Sequence, residues 1–241
     1  MTSFTRSIGI GFLAATLLLI AGAFWKFADT RPIFRLLSTH SRIVVPQEYS
    51  SHDQDKDGVN DTQDLIDGAR KEVARAPVYR SAYYQDGLPP EDEGVCTDVV
   101  WRAFLHAGYD LKSLVDSDIK SHLSAYDRIQ GKPDPNIDFR RVPNLVDFFK
   151  SHAHVLTTEL KPGDVQNLAE WQGGDIVMFG APAPHIGILS DVRDVDGVPF
   201  MIHASGSSPK EDDGLLYWST HLSPIVAHIR WPAVTTTTAL R

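Results

Sequence analysis

The chain of 241 residues contains a single cysteine, Cys96. An intramolecular disulfide is therefore excluded, and with it a small domain held together by cross-links. A positive charge balance is also missing: 31 acidic residues against 23 Lys and Arg give a formal net charge of −8 at pH 7. That balance argues against a nucleic-acid partner held by phosphate contacts, and against a basic patch on anionic lipid. No internal repeat is visible, so a solenoid or propeller is not expected. What is present is ordinary for a globular protein, with 42% hydrophobic and 22% charged residues.

Residues 8–25 read IGIGFLAATLLLIAGAFW, with no charge among them and Arg6 just before. A run of about 18 apolar residues can span a bilayer. Ala21-Gly22-Ala23 also has the small-residue spacing of a signal-peptidase site. An uncleaved anchor and a cleaved signal are both open; the closeness of Lys26 and Arg31 favours the anchor. No cysteine follows the run, so a lipoprotein anchor is not expected. Either reading sends the remainder to the cell envelope, inner-membrane anchored and facing the periplasm, or secreted. The expected organisation is an export segment at 1–26, a connector at 27–50, one domain at 51–232 and a Thr-rich flexible tail at 233–241.

Apolar spacing predicts helices over residues 62–76, 96–107, 111–126 and 142–152. Pro77 stops the first and Gly108 the second. Runs at 43–45, 175–179, 185–190, 199–204 and 224–231 are strand-like, and Asp194-Val195-Asp196-Gly197 carries a hairpin signal. Helices first and antiparallel strands after predict an α+β domain.

Cys96 falls at the predicted start of a helix. There the backbone N–H groups and the helix dipole favour a thiolate, as would a nearby imidazole. His185 opens one predicted strand and His203 lies near the end of the next, so antiparallel pairing brings both to one end of the sheet. Nucleophile, base and orienting group would then be Cys96, His185 and His203. Asp191 is another candidate to orient His185, but it lies at the far end of its strand. Cysteine with two histidines is also a zinc set, although no close-spaced ligand pair accompanies Cys96. A buried structural thiol is the plain alternative.

Gly94-Val95-Cys96-Thr97-Asp98-Val99-Val100, Asn136-Ile137-Asp138, Arg140-Arg141-Val142-Pro143-Asn144-Leu145, Gly173-Gly174-Asp175-Ile176-Val177, Pro184-His185-Ile186-Gly187-Ile188 and Ile202-His203 together resemble the DUF1287 family. That family is similar to the NlpC/P60 group of papain-like cysteine peptidases. The resemblance implies a papain-like fold, with N-terminal helices packed on an antiparallel sheet, and Cys96, His185 and His203 as a triad. It also implies amide cleavage in peptidoglycan stem peptides through a thioester. Val95 and Thr97 stand where NlpC/P60 enzymes carry Asp and Ser, and Ala204 stands where the DUF1287 pattern often has Asn. A non-catalytic cell-wall binding module and a thiol acyltransferase on the same fold are the competing readings.

Around this core, Tyr84 and the Cys96 N–H are candidates to hold an oxyanion. Arg140 and Arg141 are candidates to grip a substrate carboxylate or to form ion pairs. Asp98 reads as a carboxylate favouring the helix N-terminus. Residues 53–64 (DQDKDGVNDTQD) place acids at loop positions 1, 3, 5, 9 and 12 and glycine at 6, the spacing of a calcium loop. The expected ligands are Asp53, Asp55, Asp57, the Val59 carbonyl, Asp61 and Asp64; a solvated turn capping the next helix is the alternative. No cofactor is expected for the chemistry itself.

Overall fold

Alternation along the central strands decides which side of the sheet each residue meets. In the computed structural model, which describes residues 42–232, the elements run α1 (Asp61–Arg75), β1 (Val78–Tyr79), β2 (Glu93–Gly94), α2 (Cys96–His106), α3 (Leu111–Ser121), α4 (Val142–His152), β3 (His154–Val155), α5 (Val165–Ala169), β4 (Ile176–Phe179), β5 (His185–Arg193), β6 (Pro199–His203), β7 (Lys210–Asp212), α6 (Gly214–Tyr217) and β8 (Ile225–Arg230). The export segment, most of the connector and the tail lie outside the described residues. Within them the architecture is α+β, with an antiparallel sheet in the order β3-β8-β4-β5-β6-β7.

Ile176, Met178, Ile186, Ile188, Ile202, Ala227 and Ile229 face one core, shared with Leu65, Ile66, Val100, Phe104, Leu145 and Phe149 of the helices. Val177, Phe179, Leu189 and Met201 face a second core, closed by Val45, Leu168, Trp171, Val198 and Leu215. The central strands β4, β5 and β6 are thus buried on both faces, which is why they are largely apolar, whereas the short edge strands β3 and β7 are more exposed and β7 is charged.

The four expected helices form, although the third ends at Ser121 with a separate 3-10 turn at Leu123–Ala125, and the short helices α5 and α6 were not expected. Asp110 caps α3 by accepting from Ser113 N, and Asn60 caps α1 by accepting from Gln63 N. The short strand expected at 43–45 does not form. Instead the segment is held in irregular form: Ile43 N donates to Val195 O at 3.0 Å, Glu48 N donates to Gln172 Oε1 at 2.9 Å, and Val45 is buried. Part of the expected connector therefore packs with the domain.

The Gly173-Gly174-Asp175 run enters β4 through a left-handed residue. Gly174 has φ +87°, and a Cβ there would stand 2.7 Å from Thr62 Cγ2 and 3.0 Å from Thr62 O. Buried Asp175 then accepts from Arg230 Nε at 2.7 Å and from Gln172 N at 2.8 Å, and meets His228 Nε2 at 3.1 Å, tying β4 to β8. Gly174→Ala should lower unfolding free energy by more than about 1 kcal/mol, because the new side chain meets both an unfavourable φ and backbone. Urea unfolding of the two proteins checks it; equal midpoints would refute this account of the turn.

Candidate functional site

Cys96 is the first residue of α2, and its position is fixed by Asp98 two residues on. Asp98 Oδ2 accepts from Val95 N at 2.7 Å, satisfying an N–H at the helix start. Both carboxylate oxygens accept from Arg140, Nε to Oδ1 and Nη2 to Oδ2, each at 2.8 Å. Arg140 Nη1 reaches Ala82 O at 2.9 Å, and its guanidinium lies 4.9 Å from the centre of the Tyr84 ring. Asp98 and Arg140 are both buried. Of the two roles expected for Arg140, the ion pair is the one seen: it holds the helix start through Asp98 while lying on the wall of the Cys96 cleft.

The thiol of Cys96 opens on a cleft of about 480 Å³ lined by Tyr79, Ser81, Arg128, Arg141, Pro143 and Pro184, among others. Burial pushes the thiol up to about 11; nearby Asp98 adds to the rise, while the N–H groups of Ile186, Thr97 and Cys96 oppose it. The helix N-terminus thus does not outweigh desolvation, and a thiolate at rest, expected from the sequence, is not supported. The resting group at neutral pH is a protonated thiol.

His185 and His203 meet directly, with His185 Nε2 and His203 Nδ1 2.7 Å apart. The next contact was not foreseen: His203 Nε2 lies 3.3 Å from Asp212 Oδ1 in β7. Hydrogen bonding to Lys210, with the charges of His203 and Lys210, holds the Asp212 carboxyl below the usual carboxylate range against its partial burial. Ionised Asp212 accepts from His203 Nε2–H, so His203 Nδ1 is an acceptor and takes the proton of His185 Nε2–H. That assignment leaves His185 Nδ1 with a free lone pair. Trp218 stacks on the His185 ring at 4.1 Å with 12° between planes, fixing its orientation. Burial lowers His185 to about 3, helped by neighbouring His203 and Lys210, and burial also lowers His203 despite Asp212. Both rings are neutral at pH 7.

The thiol and the imidazole pair approach along β5 from its two sides. The Ile186 N–H acts on the thiol, and Pro184 lines its cleft. Ile186 points into the helix-side core, whereas His185 lies beside Phe179 and Trp218. Among the described residues no hydrogen bond joins Cys96 to His185. Asp191, the other candidate to orient His185, is bound to Arg70 Nη2 at 2.5 Å, in a cluster with Glu211.

Tyr84 donates to Glu93 Oε2 at 2.7 Å and does not line the cleft, correcting its expected place at an oxyanion. Tyr79 stands there instead, with no hydrogen-bond partner for its hydroxyl among the described residues. Burial raises its pKa, with further contributions from Cys96 and Asp98. Arg141 is part-exposed and pairs only loosely with Asp138, at 3.5 Å. Arg128 is exposed, also lines the cleft, and has no ion pair among the described residues.

In the acidic loop, Asp53, Asp55 and Asp57 offer oxygens within 4.8 Å of one another. Asp61 does not join them: it accepts from Tyr109 Oη at 2.5 Å and from Gln54 N at 2.8 Å, and meets His52 Nδ1 at 2.8 Å. Its expected role as a ligand is corrected to an anchor between the loop and the α2–α3 turn.

Two measurements test this electrostatic description. Unfolded His185 takes up a proton near its ordinary 6.5 and folded His185 only near 3, so its contribution is intact above 6.5 and lost as pH falls from there toward 3. At pH 5 the loss attributable to this ring is about 2 kcal/mol. Guanidinium unfolding at pH 7 and 5 should show a smaller loss in His185→Gln than in the parent; equal losses would refute the burial argument. Likewise, Cys96 in the native protein should be alkylated by iodoacetamide with a rate climbing toward pH 11. A plateau below pH 8 would show a thiolate that this geometry does not produce.

Residues 66–231 match the family described as "Domain of unknown function (DUF1287)". The "Uncharacterized protein YijF" of Escherichia coli (strain K12) is 36% identical over 175 residues, 69% of this chain and 80% of its own. The crystal structure of an N-acetylmuramoyl-L-alanine amidase from Bacteroides uniformis ATCC 8492 aligns with 70% of this chain and 97% of its own, at a TM-score of 0.42 and 12% identity. That likeness is too distant to bear on activity. The match to the family over most of the domain, joined to the similarity with YijF, shows that the chain belongs to the DUF1287 family.

Proposed function

We propose that this protein is a papain-like cysteine hydrolase of NlpC/P60 type that cleaves amide bonds in peptidoglycan stem peptides. The observation that carries the reading is the chain His185–His203–Asp212, with both rings buried, which leaves His185 Nδ1 as the free acceptor on the strand whose next residue touches the Cys96 thiol. The choice of substrate rests on the family resemblance, since a fold alone does not fix a substrate.

In this mechanism neutral His185 has a lone pair to accept the thiol proton, but its resting basicity is low and the resting thiol is a weak acid, so the transfer depends on the charges that develop once substrate fills the cleft. Substrate entering the cleft brings the thiol and His185 together, as catalytic contacts often tighten only in the complex. The thiol proton passes to His185 Nδ1 as sulfur attacks the amide carbonyl. His203, held by Asp212, keeps the imidazolium oriented. The Cys96 N–H and the Tyr79 hydroxyl donate to the oxyanion. His185 returns the proton to the leaving amine as the C–N bond breaks and a thioester forms. Water, deprotonated by His185, then releases the acid and the thiol. Arg128 and Arg141, on the wall of the same cleft, supply a cationic edge suited to a substrate carboxylate.

One observation favours a second reading, a cell-wall binding module that performs no chemistry: the thiol is protonated and has no hydrogen bond to His185. A thiol acyltransferase is the third outcome. Purified peptidoglycan treated with the full chain, with soluble fragments identified by mass spectrometry, separates the three. Hydrolysis predicts fragments with the parent, none with Cys96→Ala, and a loss of about 10²- to 10⁴-fold with His185→Ala. Retained binding to the sacculus without fragments from any of these proteins indicates the module, and a stable thioester on Cys96 without release indicates acyl transfer. On a defined stem peptide, Arg128→Ala should raise KM about tenfold with kcat little changed, the signature of lost uniform binding. An unchanged KM would remove Arg128 from the substrate site.

A further inference from the structure

We propose that the Cys96 cleft is one end of a longer groove that holds an extended acidic peptide. The peptide carries a second carboxylate, bound at Lys132, beyond the one at Arg128 and Arg141, and then an apolar side chain. Where the scissile bond lies rests on the hydrolase reading above; the binding itself needs no chemistry.

Three cavities share their walls. Arg128 and Arg141 line the cleft of about 480 Å³ at Cys96 and also a second cavity of about 300 Å³. Lys132 and Asp138 line that second cavity and also a third of about 490 Å³. One path therefore leads from the thiol, past Arg128 and Arg141, to Lys132 and on to the end of α3 at Ile119 and Lys120.

Charge decides what fits this path. The chain as a whole is acidic, at −8, yet the path gathers Arg128, Arg141, Lys132 and Lys120. Arg128, Lys132 and Lys120 are exposed and form no ion pair among the described residues. The acids nearby are already engaged. Asp138 Oδ2 accepts from Asp134 N at 2.6 Å, and Lys112 binds Asp116 at 2.5 Å. Asp134 accepts from Asn136 N at 3.0 Å and from Tyr83 Oη at 3.1 Å. Cations set in successive cavities suit charges spread along a strand and not one compact dianion. The third cavity is walled mainly by Ile119, Leu123, Pro133 and Pro135, which suits an aliphatic side chain.

The wall is built before any ligand arrives. Tyr83 Oη joins Asp134 to Asn136 Nδ2, the latter at 2.9 Å. The 3-10 turn at Asp138–Arg140 then runs directly into Arg140, which Asp98 holds. The same ion pair that positions Cys96 thus anchors the segment carrying Lys132, so little ordering entropy is left to oppose binding.

The test is calorimetry on the full chain carrying Cys96→Ala, so that no cleavage intervenes. The probe is acetyl-Leu-Glu-Ala-Glu-Leu-amide, which reads alike in either chain direction, against versions with one or both Glu replaced by Gln. An exposed pair contributes a factor of about two to five, and charge reversal replaces attraction with repulsion. Arg128→Glu and Lys132→Glu should therefore each raise Kd for the two-Glu peptide about three- to tenfold. Lys132→Glu should leave the one-Glu peptides nearly unaffected, and added NaCl should weaken the two-Glu peptide most. Melting curves like the parent's show that these exposed variants fold. No heat with the two-Glu peptide up to about 5 mM, equal binding of the Glu and Gln peptides, or an unchanged Kd in Lys132→Glu would each overturn the proposal. Failure of the hydrolase reading looks different: Lys132-dependent binding with no fragments from peptidoglycan keeps the groove and removes the chemistry.

Discussion

The buried ion pair between Asp98 and Arg140 is the constraint on which the site depends. Two parallel hydrogen bonds of 2.8 Å join the groups, Asp98 accepts a further bond from Val95 N, and Arg140 donates a further one to Ala82 O. Such a pair adds little net stability, because removing two charges from water offsets most of their attraction. Loss of one partner is different, since the other is left charged and unpaired in the interior, at a cost of about 3–5 kcal/mol. What the pair supplies is position. It ties the start of α2, the segment after β1 and the Arg140-Arg141-Val142-Pro143 run to one point, and these are the walls of the Cys96 cleft.

The sheet supplies the other half of the geometry. Because both faces are buried, each strand carries information to two layers. On β5, Ile186 and Ile188 serve the helical core, while His185 and Leu189 serve the opposite layer. Thiol and imidazole therefore belong to different layers, and both stand near the start of β5, the thiol beside the Ile186 N–H and the ring on His185. Burial keeps the thiol proton on and the imidazole proton off, so at rest the site holds two neutral groups and not an ion pair.

Much of this was legible in the sequence. The start of α2 followed from Gly94-Val95-Cys96 and its end from Gly108, and the meeting of His185 with His203 followed from antiparallel pairing alone. What could not be read depended on tertiary contacts. Asp212 lies on a strand of three residues, too short for a period to show. Trp218 reaches His185 only because the turn after α6 folds back over the sheet. Which tyrosine of the segment ahead of α2 faces the thiol was undecidable from spacing, because an irregular segment has no period. The N–H groups at a helix start argue for a thiolate, but they cannot reveal how deeply the sulfur is buried, and depth decided the outcome. Arg140 and Asp61 show the same limit: a charged residue in a motif looks alike whether it serves a ligand or its own fold.

The protonated resting thiol has a chemical consequence of its own. Thiolates attack peroxide and disulfides far faster than thiols do. A sulfur that ionises only near pH 11 would therefore survive in an oxidising medium as a lone cysteine, without a reductant and without a resolving partner. If Cys96 is the nucleophile proposed above, the same burial that slows its ionisation would also preserve it between turnovers.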